Sequence, residues 1–377
     1  MRIIINSAHQ RFGGAIQVAL SFLYECRGFP KNEYYVWVGP GVAKSLQTKD
    51  FSANFHFSFF DFGKIDFGKT QKINRILREE EQKIKPNAII STSGPTYFHS
   101  QAPQIIGFNL PLYIYPESPY VKGWLFPKKI KMCLKKLAHF YYFRRDASAF
   151  VVQTDDVNER VRKVLRTKEV HTVTNTYNHF YHNWNRYPRK LHPKTPDVFR
   201  FLTVSSWYPH KNLDIIPEVQ RILHGQGVKN VEFVLTLKSE DFIDKVLKGK
   251  TIAGVHNNGP IAPEECPSLY DECDAIFMPT LAECFSASYP EAMIMGKPII
   301  TTDLGFARSI CGEAALFFTP QDPRSGANSI IQLINNPQLK YDLISKGKLQ
   351  LNEFDTAFER AKKYLALCEM ISKKRST

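Results

Sequence analysis

Two α/β domains, each built on a doubly wound parallel sheet, are predicted by three observations. Strand-like runs such as IIIN and AFVVQ are continuously apolar rather than alternating, as parallel strands covered on both faces require. Helical patterns, among them residues 15–24 and 71–85, separate several of these runs. The alternation then breaks at WNRYPRKLHPKTPDV, residues 184–198, a stretch rich in proline and basic groups and poor in apolar ones, and resumes beyond it.

The first set of strands is expected at 2–6, 34–38, 54–60, 88–91, 104–108, 149–153 and 170–174. The second is expected at 199–205, 231–236, 251–255, 275–278, 298–302 and 315–318, with helices near 213–224, 267–272, 291–295 and 326–335. Thr356-Ala-Phe-Glu359 reads as a capping box opening a last helix, with Phe358, Ala361, Leu365 and Cys368 on one face. The division is therefore 1–183 for the first domain, 184–198 for a linker, 199–354 for the second domain and 355–377 for the terminal helix.

Composition agrees with this plan. A chain of 377 residues, 43% hydrophobic and 23% charged, has length for two full cores. A net charge of +14 favours anionic partners such as phosphorylated substrates or a membrane surface. No recognition motif accompanies that charge, so nucleic acid is not expected as a partner. The 7 cysteines are scattered without C-x-x-C spacing, which suits reduced thiols rather than a disulfide frame. The opening MRIIINSAHQ is too short an apolar run for a signal-peptide core, and no run approaches a membrane span. A cytoplasmic location is the expectation. With no D-x-D, and with His179-x-x-His182 lacking a third ligand, no metal site is expected.

The stretch from Met278 to Asp303, MPTLAECFSASYPEAMIMGKPIITTD, carries the chemistry. A strand end runs into a loop of small residues, and Pro290 suits a first helical turn, where its missing N–H costs nothing. Backbone amides at Phe285, Ser286, Ala287 and Ser288 would then face an anion at the helix start. Glu283 and Glu291 bracket that position. Acids beside a phosphate make sense as acceptors from neutral hydroxyls, each charge-assisted bond contributing about 1.5–3 kcal/mol. Phosphate between two polyols describes a nucleotide sugar.

E-x7-E followed by A-M-x-x-G-K-P-I resembles the donor-binding signature of glycosyltransferase family 4, retaining enzymes of the GT-B fold. The resemblance implies two Rossmann-like domains facing a cleft and a terminal helix crossing back to the first. It implies that Glu291 holds the ribose diol and Glu283 the transferred sugar's hydroxyls. It implies a UDP- or GDP-linked donor without a metal, a glycan or lipid-linked acceptor, and a place in surface polysaccharide assembly (O-antigen or capsule), peripheral to the inner membrane. Its oligomeric state is left open. A nucleotide-sugar epimerase on the same fold and a non-catalytic binding homologue also remain open.

Further positions follow from the same resemblance. Gly13-Gly14, between the first strand and helix, matches the family's diphosphate loop, with His9 and Arg11 beside it. Lys211, in SSWYPHKN, stands at the family lysine that neutralises the donor diphosphate; the family arginine reads Ser206 and the glycine Ser205. Lys238 and His210 are candidates for the missing charge. Asn257, Gly259 and Tyr270 lie where the family lines the nucleotide base. Asn109 stands where many relatives carry a histidine near the reacting sugar, Glu117 could orient an acceptor, and Asn175-Thr176 reads as architectural.

Finally, no acid lies between Glu117 and Asp146, whereas Lys122, Lys128, Lys129, Lys131, Lys135, Lys136, Arg144 and Arg145 do. Ile130, Cys133, Leu134, Leu137 and Tyr141 recur at helical spacing. Two readings stand open: a basic helix lying on an anionic bilayer, or a core-facing helix with a solvated basic side.

Overall fold

The computed structural model describes residues 1–11, 13–182 and 188–374. Residues 184–187 of the expected linker lie outside the described residues, as do the last three of the terminal helix. The chain divides into two units. Met1–Ile114, Trp124–Asn175 and the chain from Asp355 onward form the first; Tyr115–Gly123 and Thr176–Phe354 form the second.

In the first unit, β1 (Arg2–Asn6), β2 (Glu33–Val38), β3 (Phe55–Phe59), β4 (Ala88–Ser91), β5 (Gln104–Gly107), β6 (Ala149–Val152) and β7 (Val170–Thr172) form one parallel sheet in the order β3-β2-β1-β4-β5-β6-β7. Ile3, Ile4 and Ile5 of β1 are all fully buried, which is why a continuous apolar run serves there. The helices α1 (Ala15–Cys26), α2 (Thr70–Ile84), α3 (Phe126–Asp146) and α4 (Asp155–Leu165) connect its strands.

The second sheet is also parallel. Its strands are β8 (Phe199–Thr203), β9 (Val231–Leu235), β10 (Val255–Asn257), β11 (Ala275–Met278), β12 (Ile299–Thr302) and β13 (Ala315–Phe318), in the order β10-β9-β8-β11-β12-β13. Its helices are α5 (Ile216–Gly225), α6 (Cys266–Asp271), α7 (Ser288–Ile294), α8 (Gly305–Cys311), α9 (Pro323–Ile334) and α10 (Pro337–Gln350). One strand is displaced from expectation. The run predicted at 251–255 begins only at Val255, because Gly254 turns with φ +80° and its Cβ position is closed by the Gln220 amide and the Val231 carbonyl. The helix expected over 213–224 is split: Leu213–Ile215 is a 3-10 turn, and α5 starts at Ile216 with Pro217 in its first turn.

The last helix, α11 (Ala357–Lys374), belongs to the first unit. The capping box is formed: Glu359 N–H donates to Thr356 Oγ1 at 3.2 Å and Thr356 N–H to Glu359 Oε2 at 3.0 Å. Ala361, Leu365 and Cys368 are buried with Tyr364, whose ring lies 5.2 Å from Phe22 of α1. Phe358 differs from expectation. It stays 47% exposed and stacks on Phe29 at 4.9 Å, outside the buried stripe.

Arg360 is the unexpected member of that helix. It is buried, donates to Ser21 Oγ at 2.7 Å and bonds Asn175 Oδ1. Asn175 is thus engaged in holding the terminal helix. Asn175→Leu removes the acceptor and leaves a buried guanidinium short of a partner. A loss of about 1.5–3 kcal/mol in denaturant unfolding is expected; an unchanged midpoint would remove Asn175 from that role.

Candidate functional site

Strand order in the second sheet reverses between β8 and β11, and in open α/β sheets ligands sit outside the strand C-termini at such a reversal. The chain leaving β8 and the chain leaving β11 meet there. After β8, Ser205 N–H donates to Thr236 Oγ1 at 3.0 Å, and Pro209–Lys211 closes into a 3-10 turn. Asn212 ends that turn at φ +55°, and Leu213 is buried behind it. After β11, Leu281 N–H donates to the His210 carbonyl at 2.7 Å, which ties the two loops together.

The tie brings two sequence-predicted residues into contact. Lys211 Nζ bonds Glu283 Oε1, with side chains 15% and 12% exposed. Thr280 Oγ1 also donates to Glu283 Oε1, at 3.3 Å. The loop itself is braced from below by Thr302 Oγ1, which donates to the Thr280 carbonyl at 2.6 Å, and by the buried Tyr289–Thr301 hydroxyl pair at 2.8 Å. The segment Tyr115–Gly123 joins this unit through Ser118 Oγ, 2.7 Å from the Leu281 carbonyl. Glu117 of that segment is exposed.

Helix α7 begins at Ser288, with Pro290 in its first turn as expected, and ends at Ile294; Gly296 just beyond it has φ +61°, which lets the chain turn into β12. Phe285, Ser286, Ala287 and Ser288 form the loop and helix start. Glu291 projects from the first turn and accepts from Tyr270 OH at 3.0 Å. Burial raises its carboxyl to about 7, while the Tyr270 and Tyr181 hydroxyls pull the other way. Tyr181 sits against it with its ring 5.9 Å from Tyr270, and burial beside Glu291 pushes both phenols well above their ordinary range. The resemblance had singled out Tyr270 for the nucleotide base and had not singled out Tyr181. Only the fold brings both of them beside Glu291, Tyr270 as its hydrogen-bond donor.

Other expected residues are placed differently. Asn257 bonds Leu237 with its amide, accepting from the N–H and donating to the carbonyl, both at 2.9 Å. Gly259 takes φ +84° in the turn beyond β10. Ser206 is exposed where the family has arginine. His210 does not replace that charge: burial first, then Lys211, lower its pKa against the pull of Glu283, so its ring is largely neutral at pH 7. Lys238 is exposed at the start of the turn Ser239–Asp241.

In the first unit the order reverses between β1 and β4. Gly13 there has φ +91°, and nothing within 4 Å crowds a Cβ placed on Gly14, so that backbone is open to approach. His9 Nε2 lies 3.2 Å from the Ser93 carbonyl and burial lowers its pKa to about 4, so it is neutral and donates. Arg11 pairs with Asp61. Asn109 is half-buried in the loop after β5. Among the described residues no His, Cys, Asp and Glu cluster could hold a metal.

Two parallel-sheet Rossmann-like units with a terminal helix returning to the first define the GT-B class of glycosyltransferase fold. The crystal structure of Anabaena HepE in complex with UDP and glucose is similar at a TM-score of 0.70 and 14% identity, over 98% of this chain and 100% of that one. Residues 198–336, which carry the Lys211–Glu283 pair and Glu291, match the family model for glycosyl transferases group 1. The chain is similar to D-inositol 3-phosphate glycosyltransferase of Corynebacterium urealyticum, 32% identical over 79 residues, 20% of this chain and 19% of that protein. It is also similar to an uncharacterized glycosyltransferase of Methanocaldococcus jannaschii, 26% identical over 157 residues, 39% of this chain. These matches span 19% and 41% of the lengths of the two relatives.

Proposed function

We propose that the protein is a retaining glycosyltransferase, moving a sugar from a nucleoside diphosphate to a hydroxyl of a glycan or lipid-linked saccharide. The observation that carries this is the Lys211–Glu283 pair at the strand reversal, inside the segment that matches the family. Without ligand the two charges neutralise each other. A donor would separate them. Its diphosphate takes the ammonium and its sugar hydroxyls take the carboxylate, so neither charge is left unpaired.

In the reaction the acceptor oxygen forms its bond to the anomeric carbon on the face that the diphosphate leaves. The anomeric carbon–oxygen bond breaks with its electron pair on the diphosphate, and the acceptor's proton passes to a diphosphate oxygen. Lys211 and the backbone amides of Phe285–Ser288 would stabilise the charge that develops there. Glu291 would hold the ribose diol. Surface polysaccharide assembly is the setting we propose for this chemistry. HepE binds UDP, which makes UDP the first nucleotide to test and GDP the second.

The test is nucleotide release from UDP- and GDP-sugars with and without saccharide acceptors, with the anomeric configuration of the product read by NMR. Transfer with retention is expected. An epimer formed without acceptor would replace the transferase reading by an epimerase. Thermal unfolding with each nucleotide is the companion measurement. A bound nucleotide at about 100 times its Kd should add about 2.7 kcal/mol of stability, and no shift with any of them would remove the donor pocket.

A further inference from the structure

Helix α3 is anchored at one end. Its buried residues are His139, Phe140, Phe143 and Asp146, all in its last two turns, whereas every residue from Leu125 to Lys131 is exposed. The expected stripe of Ile130, Cys133, Leu134, Leu137 and Tyr141 is not covered by the core of its own unit, and Phe126 extends it. Phe126 is 74% exposed, Ile130 46%, Leu134 63%, Leu137 61% and Tyr141 60%, and Leu125 just ahead of the helix is 78% exposed. At about 100° per residue the five helical positions fall within an arc of about 80°, and the buried residues fall on a different arc. The helix therefore has two apolar faces. Its own unit fills one, and solvent meets the other.

Charge indicates what covers the open face. Lys129 flanks it on one side and Lys131 on the other, Lys136 being turned inward onto the Tyr113 carbonyl at 2.8 Å, and the whole stretch from Lys122 to Arg145 contains no acid. A second copy seated here would set two all-basic helices against each other, with like charges along both sides of the seam. An anionic lipid surface instead accepts the apolar side chains below its headgroups and the ammonium groups among them, as long lysine stems allow. No described helix is long and apolar enough to cross a membrane, so this face would lie on the surface.

We infer that the exposed face of α3 docks this protein on an anionic lipid bilayer, with the Phe126–Tyr141 stripe buried and Lys129 and Lys131 at the headgroups. The full-length chain is tested by flotation with phosphatidylcholine vesicles containing about one-third phosphatidylglycerol, and with pure phosphatidylcholine as control. Wild type should float with the anionic vesicles only, and less so in about 1 M NaCl. Leu134→Glu/Leu137→Glu should lower the bound fraction at least about tenfold with an unchanged melting temperature, since both sites are exposed. Lys129→Glu/Lys131→Glu keeps the apolar stripe and should also reduce binding. Failure of wild type to float, or equal flotation of all forms, overturns the proposal. So does a wild-type dimer in sedimentation that Leu134→Glu/Leu137→Glu dissociates, which would give the face to a second copy. No donor or acceptor is needed, so the result is independent of the transferase reading.

Discussion

Replacing Lys211 by methionine is expected to cut turnover of the nucleotide sugar by about 10²–10³-fold, the cost of losing one preorganised group at a developing charge. The stem survives and only the ammonium is lost, so packing below the turn is kept. The same change strands Glu283, which is only 12% exposed, and should lower unfolding stability by about 1–3 kcal/mol. The two effects separate in a double variant. Lys211→Met/Glu283→Gln removes both charges, so stability should recover most of the loss while turnover stays low. Steady-state kinetics and denaturant unfolding on the four proteins of this cycle check it. Wild-type turnover in Lys211→Met would leave the pair as a structural tie between two loops. Recovery of turnover along with stability would say the same.

Glu291→Gln is expected to weaken nucleotide binding at pH 8 by about 1.5–3 kcal/mol, roughly tenfold to a hundredfold. Wild-type affinity should itself depend on pH. The ribose diol donates to a carboxylate, and Glu291 is ionised only above about 7, so affinity should rise with pH through that value and be flat in the glutamine variant. Stability runs the other way. A carboxyl raised from its ordinary 4.5 to about 7 in the folded protein keeps a proton that the unfolded chain has lost. Its contribution is therefore most favourable below 4.5 and declines as pH rises through 7. At pH 8 Glu291→Gln should stabilise the free protein by on the order of 2 kcal/mol. Calorimetric titration and thermal unfolding between pH 5.5 and 8.5 check both signs (about three units in all). A pH-independent wild-type affinity would separate Glu291 from the nucleotide.

Local sequence was enough for the sheets. Runs such as IIIN and AFVVQ are buried on both faces of parallel strands, and that burial demands unbroken apolar residues, so β1 and β6 fall where the pattern puts them. It was also enough for the loop after β11, because Pro290 and Gly296 act through their own backbone preferences at the start and end of α7. The capping box before α11 is local in the same sense, formed within four residues.

Contacts between distant segments were not legible, because nothing in a residue's neighbours records what a crossover connection brings beside it. Lys211 and Glu283 carried separate expected roles, and only the adjacency of β8 and β11 makes them an ion pair. Tyr270 read as a residue near a nucleotide base and Tyr181 as nothing in particular, until folding placed both phenols against Glu291 and burial moved its carboxyl to about 7. Asn257 read as a residue near the nucleotide base, and only the fold shows its amide bonded to both backbone groups of Leu237. The stripe on α3 was fully visible as a pattern, yet amphipathic spacing is the same whether a helix faces a core or the outside. Only the burial of His139, Phe140, Phe143 and Asp146 on the other arc of the helix decided which way that stripe points.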